Sequence, residues 1–204
     1  MKKSDSPTEP SRDWNIETSE TVYNGFYNVE RLTFKHALFN GGQSDTVDRE
    51  QFIRGNVVGV LAHDPKLDKV ALIEQFRIGA RNRADHPWLL EVIAGMIEPG
   101  EQAQEVAVRE AYEEAGIRIT NVKEVMRYLA SPGASTEEVI IYYAEADLSD
   151  AAGVFGLEEE SEDILLHVVS ADDAIAMLED GTVCNALSII ALQWFRHHRL
   201  QSAV

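Results

Sequence analysis

The chain has 204 residues, of which 45% are hydrophobic and 26% charged, as is typical of one folded domain. Its formal net charge of −17 disfavours non-specific binding to nucleic acid or to anionic membranes, because both would repel an acidic surface. The single cysteine, Cys184, excludes an intrachain disulfide and a cysteine-based zinc site. No apolar run approaches the length of a membrane helix and the first residues lack a secretory signal, so we expect a cytoplasmic protein.

The first 54 residues are expected to form a lead-in followed by a β region. Residues 1–20 are mostly polar, which predicts a mobile segment. Residues 21–54 alternate apolar with polar side chains from Val22 onward, and Asn40-Gly41-Gly42 supplies the residues that a tight hairpin needs. Because this region has few residues with which to build its own core, we expect it to pack on the main domain or on another subunit.

The remaining residues, 55–204, are expected to form the main domain. Apolar runs, several of them rich in β-branched residues, predict strands at 57–63, 69–76, 88–95, 121–130, 137–146 and 164–170. Helical patterns cover 103–115, 171–180 and 186–198. This combination indicates an α/β or α+β sandwich.

The most informative stretch is residues 95–117, which read GMIEPGEQAQEVAVREAYEEAGI. Its helix places Glu110, Glu113 and Glu114 on neighbouring positions of one side, near the helix C-terminus. Like charges repel at this spacing, and the helix dipole disfavours anions at this end. Because Arg109 balances only part of the charge, a bound divalent cation is the simplest compensation, and all-oxygen ligands suit Mg²⁺ or Mn²⁺.

The stretch also matches the pattern G-x5-E-x7-R-E-U-x-E-E-x-G-U, in which U is aliphatic, at every fixed position. The fixed positions are Gly95, Glu101, Arg109, Glu110, Glu113, Glu114 and Gly116. This pattern resembles the Nudix box, so the chain is similar to Nudix hydrolases, which cleave nucleoside diphosphates linked to another group. The resemblance implies an α/β/α sandwich around a mixed β-sheet, preceded here by an N-terminal antiparallel strand region.

The resemblance also implies roles for individual residues. Glu110 and Glu114 would be ligands of Mg²⁺, for which Mn²⁺ could substitute, and the carbonyl of Ala94 would be a further ligand. Glu113 would assist catalysis, and Arg109 would brace the glutamates, together with Glu101.

A second resemblance concerns the substrate. Pro132 of Ser131-Pro132-Gly133 lies 15 residues after Ile117, and the segments 74–80, 87–101, 158–164 and 185–194 look like bacterial ADP-ribose pyrophosphatases. The likeness covers roughly residues 20–198 and implies ADP-ribose or a related nucleoside diphosphate sugar as substrate. It also implies a homodimer that exchanges residues 21–54 between subunits and so forms composite active sites.

Within this subgroup the acidic loop 158–163 would supply the general base, Glu160, and a metal ligand, Glu162, although a shift of register would reassign both. Arg49 and Arg77 match positions that contact the substrate's phosphates and ribose, and Ser131-Pro132-Gly133 would lie at the substrate. The predicted reaction is Mg²⁺-dependent hydrolysis of ADP-ribose to AMP and ribose 5-phosphate. Three alternatives stay open: hydrolysis of another nucleoside diphosphate sugar, regulatory binding of ADP-ribose without cleavage, and simple buffering of divalent cations.

Overall fold

A computed structural model describes residues 11–83 and 86–202 of the chain. The chain divides into two units. One comprises the residues up to Arg54 together with Ser131–Glu137, and the other comprises Gly55–Ala130 and Glu138–Val204. The first half of the predicted lead-in, residues 1–10, lies outside the described residues.

The first unit contains an antiparallel sheet of three strands in the order β1-β2-β3. The strands are β1 (Trp14–Asn24), β2 (Asn28–His36) and β3 (Val47–Ile53). β1 begins at Trp14 rather than near Val22, where we expected the first strand, so residues 14–20 are strand and not lead-in. The reason is pairing: the ladder between β1 and β2 continues as far as Trp14 opposite His36.

The second unit is a mixed sheet with helices on both faces. Its elements are β4 (Val57–Asp64), β5 (Lys69–Phe76), β6 (Trp88–Glu91), β7 (Ile93–Met96), α1 (Ala103–Ala115), β8 (Ile119–Leu129), β9 (Glu138–Ala146), β10 (Val154–Phe155), β11 (Ile164–Ser170), α2 (Ala171–Glu179) and α3 (Ala186–Ser202). The strand order is β10-β11-β5-β4-β9-β8, with β6 paired to β5 and β7 paired to β4. β4 and β9 run parallel, and the other pairs are antiparallel.

Two apolar layers lie on opposite faces of this sheet, because successive side chains of a strand point to opposite sides. One layer lies between the sheet and α1. It includes Val58, Val60, Ala71 and Ile73 of the sheet and Val106 and Ala111 of the helix. The other packs against α2 and α3 and includes Leu61, Val70, Leu72, Ala174, Leu192 and Phe195. This arrangement confirms the expected α/β/α sandwich. None of the helices within the described ranges is long and apolar enough to cross a membrane.

The segment predicted as one strand over 88–95 forms two short strands. β4 and β5 pair with each other only over Ala62–Asp64, so the segment can pair first with β5 and then with β4. Between β6 and β7, the backbone N–H of Val92 donates to Ser188 Oγ at 2.9 Å instead of to a strand. This crossing brings β7, and with it Ala94, next to α1.

Candidate active site

Glu114 is the most deeply buried glutamate of α1. Its residue surface is 3% exposed, and its carboxylate accepts the backbone N–H of Ala94 at 2.9 Å. Burial raises the pKa of Glu114 to about 8; the Ala94 N–H opposes the shift, and the negative charges of Glu110 and Glu162 add to it. The hydrogen bond from Ala94 therefore does not fully compensate the Glu114 anion, and an added positive charge would stabilise it.

Glu110 lies one helical turn earlier and packs against Gly95 of β7. A Cβ atom at position 95 would collide with the Glu110 carboxylate, so a larger residue there would force this side chain to move. Burial also raises the pKa of Glu110 to about 7; Arg109 opposes the shift, whereas the charges of Glu113 and Glu162 increase it. The first glycine of the motif thus leaves room for the Glu110 carboxylate in this position.

Arg109 links three of the motif's glutamates. Its Nη1 atom lies 2.8 Å from Glu113 Oε2 and 2.9 Å from Glu110 Oε1, and its Nη2 atom lies 3.5 Å from Glu101 Oε2. Glu101 in turn accepts the backbone N–H of Glu98 at 2.9 Å. One guanidinium therefore connects the loop before α1 to the helix, which is the geometry that a bracing role requires.

The acidic loop is attached to the C-terminal end of α1. Gly116 ends the helix in the left-handed conformation, with φ of 64°, and a Cβ there would collide with the ring of Phe155 on β10. The next residue, Gly156, donates its N–H to the carbonyl of Glu113 at 3.1 Å. The loop that carries residues 158–163 therefore starts from a fixed position beside the box helix.

Within that loop, Glu162 and Glu160 differ in their surroundings. Glu162 is half-buried, accepts the backbone N–H of Leu157 at 3.1 Å, and raises the pKa of both Glu110 and Glu114. Glu160 ends an exposed 3-10 turn, Glu158–Glu160. The structure thus brings Glu162 close to the box glutamates and leaves Glu160 facing solvent.

Arg77 follows β5 and is held by Glu91 of β6. Its Nε and Nη2 atoms both lie 2.8 Å from Glu91 Oε2. Its positive charge also acts on Glu114, where it opposes the rise in pKa that burial causes. Arg77 therefore belongs with the carboxylates of this site.

Residues 53–198, well over half of the chain, match the model of the NUDIX domain. The chain belongs to the NUDIX family. Over 186 residues it is 47% identical to the ADP-ribose pyrophosphatase of Escherichia coli strain K12. The matched region covers 91% of this chain and 89% of that protein. The ADP-ribose pyrophosphatase of Haemophilus influenzae is 44% identical over 188 residues, covering 91% of this chain and 87% of its own.

The solved structure of an ADP compounds hydrolase also shares the fold. It covers 98% of this chain and 100% of its own, with a TM-score of 0.69 and 23% sequence identity. At this level of identity the likeness concerns the architecture, and it agrees with the sandwich seen here.

The remaining sequence-predicted residues of this Nudix protein lie in the first unit. Arg49 is exposed on β3, and its Nη1 donates to the backbone carbonyl of Asp48 at 2.7 Å. Ser131-Pro132-Gly133 opens a turn in which the Ser131 carbonyl accepts the N–H groups of Ala134 and Ser135 at 3.0 and 2.9 Å. The carboxylates of the box and Arg77 belong to the second unit.

The donor set on α1 fits a divalent cation. Burial and neighbouring glutamates disfavour the anionic forms of the Glu110 and Glu114 carboxylates, so a cation bound by their oxygens would stabilise both. In residues 11–83 and 86–202, no three Asp, Glu, His or Cys side chains already converge as a metal cage. Arg109 supplies counter-charge to Glu110 in this arrangement.

Sequence reasoning missed Glu91. It lies within the apolar run Trp88-Leu89-Leu90-Glu91-Val92-Ile93, which we predicted as a strand and included in the resemblance without giving Glu91 a role. The available signal was the charge itself, because a carboxylate within a buried strand requires a partner.

Proposed function

We propose that the protein hydrolyses the pyrophosphate bond of ADP-ribose, giving AMP and ribose 5-phosphate. The observation that carries the proposal is the pair of buried, electrostatically strained carboxylates, Glu110 and Glu114, in a chain whose 44–47% identical relatives are ADP-ribose pyrophosphatases. Buried carboxylates with raised pKa values are typical of functional sites.

The proposed cofactor is Mg²⁺, with Mn²⁺ as a substitute. Glu110, Glu114 and Glu162 would hold it with their carboxylates, and Ala94 with its carbonyl oxygen. When bound, such a cation neutralises diphosphate charge and makes a water molecule more acidic. The Ala94 N–H orients the Glu114 carboxylate, and Arg109 holds Glu110 and Glu113 in their rotamers.

The reaction itself needs a base and substrate contacts. Water adds to one phosphorus, the bridging oxygen leaves with the other phosphate, and the water's proton passes to Glu160 as general base. Arg77, Arg49 and Ser131-Pro132-Gly133 would bind the substrate, since the planar guanidinium of arginine suits phosphate oxygens. Glu113 and Arg109 would support the site without accepting the proton.

A product assay tests the proposal directly. Purified protein is incubated with ADP-ribose in Mg²⁺, in Mn²⁺ and in EDTA, and AMP and ribose 5-phosphate are quantified by chromatography. We expect equal amounts of both products with either cation and none in EDTA. No AMP at micromolar enzyme would refute the proposal.

A substrate panel separates the alternatives. ADP-ribose is compared with ADP-, GDP- and UDP-linked hexoses by kcat/KM, and we expect ADP-ribose to rank first. A hexose that ranks first would make the protein a hydrolase of another nucleoside diphosphate sugar. Calorimetric binding of ADP-ribose with no turnover in any cation would indicate a regulator instead.

The general base is tested by neutral substitution within the acidic loop. Glu160→Gln should lower kcat by about 100-fold or more, as expected for loss of general base catalysis, with KM little changed. Glu158→Gln and Glu159→Gln are matched controls on the same exposed turn and should keep wild-type kcat. A large loss in one control with none in Glu160→Gln would move the base to that position.

We also propose a cytoplasmic homodimer in which residues 21–54 are exchanged between subunits, while 55–204 form the Nudix domain. The support is exposure in the first unit, where β1 is exposed along its whole length and Trp14, Tyr23, Phe26 and Phe39 are between 61% and 85% exposed. Light scattering should give twice the chain mass. Phe26→Ser should shift the protein towards monomer, and a monomeric wild type would contradict the dimer.

A further inference from the structure

Glu91 and Arg77 form an ion pair with unequal exposure. The Glu91 side chain is 11% exposed and the Arg77 side chain 43% exposed, so the anion is buried while the cation remains accessible. Both bonds use one edge of the guanidinium, through Nε and Nη2, and both end on Glu91 Oε2. The buried Glu91 carboxylate therefore holds Arg77 by one edge of its guanidinium.

The backbone holds both residues of the pair in place. Glu91 lies on β6 directly opposite Ile73, in a part of the sheet where Ile73 is fully buried. The backbone N–H of Arg77 donates to the carbonyl of Pro87 at 2.8 Å, just before β6 begins. Neither partner can shift far without disturbing the β5–β6 pairing.

The pair also acts on the box. The guanidinium charge of Arg77 opposes the rise in the pKa of Glu114, so the cation lies within electrostatic reach of that α1 carboxylate. A buried ion pair is weak evidence for stability, because removing two charges from water costs about as much as their attraction returns. Its specific effect is to fix a long, flexible side chain in one orientation, which lowers the entropic cost of binding a ligand.

We propose that Glu91 is a positioning residue, which holds the Arg77 guanidinium at the end of β5 so that it meets the substrate's diphosphate already oriented. The inference rests on the proposed function, in which Arg77 binds ADP-ribose. Glu91 itself touches the arginine and not the substrate.

A double-mutant cycle tests this role. The enzymes are wild type, Glu91→Gln, Arg77→Gln and the double variant, measured with ADP-ribose and Mg²⁺. Glu91→Gln should raise KM about tenfold and leave kcat within about threefold, since it weakens binding in the ground state and transition state alike. In the Arg77→Gln background the same change should alter KM by less than about twofold, because the residue through which Glu91 acts is gone.

The matched control is the ion pair of Arg127 with Glu138, in which Nη1 lies 3.0 Å from Oε2. This pair joins β8 and β9, at the edge of the sheet away from β5 and β6. Glu138→Gln should leave KM and kcat unchanged. If Glu91→Gln fails to fold, as judged by circular dichroism, Glu91→Asp keeps the charge but shortens the side chain, and it should raise KM by a smaller factor.

The outcomes separate this inference from the proposed function. Equal effects of Glu91→Gln in both backgrounds, or a wild-type KM in a folded Glu91 variant, would overturn the positioning role while ADP-ribose hydrolysis stands. A wild-type protein that leaves ADP-ribose intact would overturn the proposed function and this inference with it.

Discussion

Two carboxylates of the Nudix domain have equally little exposed surface and yet opposite pKa shifts. Asp64, at the end of β4, and Glu114, on α1, are each 3% exposed. The pKa of Asp64 is lowered, chiefly by the backbone N–H of Leu148, whereas burial raises the pKa of Glu114 to about 8.

Two things differ: Glu114 lies deeper in the protein, so burial disfavours its anion more strongly, and Asp64 has more backbone donors. Asp64 accepts the N–H groups of Lys66 and Leu67 at 2.9 and 3.1 Å and that of Leu148 at 3.0 Å. The backbone donor to Glu114 is the N–H of Ala94, and the surrounding charges include further glutamates. Backbone N–H groups from its own turn and from Leu148 compensate the charge of Asp64, whereas the less compensated charge of Glu114 is available to an external cation.

Removing the charge of Glu114 should have the largest effect. Glu114→Gln should lower kcat by about 100-fold or more, because several kcal/mol of transition-state stabilisation depend on correct metal placement. The melting temperature should stay the same or rise, since a buried, strained anion is removed. Steady-state kinetics and calorimetric unfolding check both parts, and activity within about threefold of wild type would exclude Glu114 as a ligand.

Filling the space beside Glu110 should have the next largest effect. Gly95→Ala places a Cβ against the Glu110 carboxylate, so the side chain must move, and we expect kcat to fall about tenfold, as for displaced metal ligands. The control is Gly55→Ala, whose Cβ would meet only the Ile97 carbonyl oxygen, at 3.7 Å. Equal losses in the two variants would contradict the packing role of Gly95.

Removing the Asp64 carboxylate, whose charge is compensated by backbone donors, should lower the stability of the fold and leave activity unchanged. Asp64→Ala leaves the buried N–H of Leu148 without its acceptor, which should cost about 1–3 kcal/mol of unfolding free energy at pH 7. Because the folded pKa lies below the unfolded value of about 3.9, this stability is present above that pH and is lost as pH falls through the folded pKa.

Urea unfolding between pH 7 and pH 3 checks the pH dependence. The wild type should lose more stability on acidification than Asp64→Ala, so the two curves should converge at low pH. If the unfolding free energies of the two proteins fell in parallel with pH, the stabilisation by Asp64 would not depend on its negative charge. kcat at pH 7 should stay near that of the wild type.

We expect the smallest effect on stability and activity at an ion pair in which both side chains are exposed. Glu124→Gln removes an i,i+3 partner of Arg127 at 3.1 Å, and solvent screens that pair. Neither the melting temperature nor kcat should change measurably. A clear loss of either would show that exposed pairs on this sheet are coupled to the site.

The box helix illustrates how much of the site was predictable. The pattern predicted a helix over 103–115, and α1 spans Ala103–Ala115. Spacing also predicted that Glu110, Glu113 and Glu114 would lie together, because helix geometry fixes neighbours three and four residues apart. Local rules suffice for such features, since the residues that make them are close in the chain.

The sequence by itself determined the box helix and most strands of the sheet, which depend on local patterns, and its box motif carried the resemblance to the family. Only the tertiary structure decided that residues 88–96 cross from β5 to β4. It also decided that Glu91 meets Arg77 and that Glu162 raises the pKa of Glu110 and Glu114, while Glu160 lies on an exposed turn. The physical reason is that burial and partner charges come from distant segments, so whether a carboxylate is compensated depends on the folded packing.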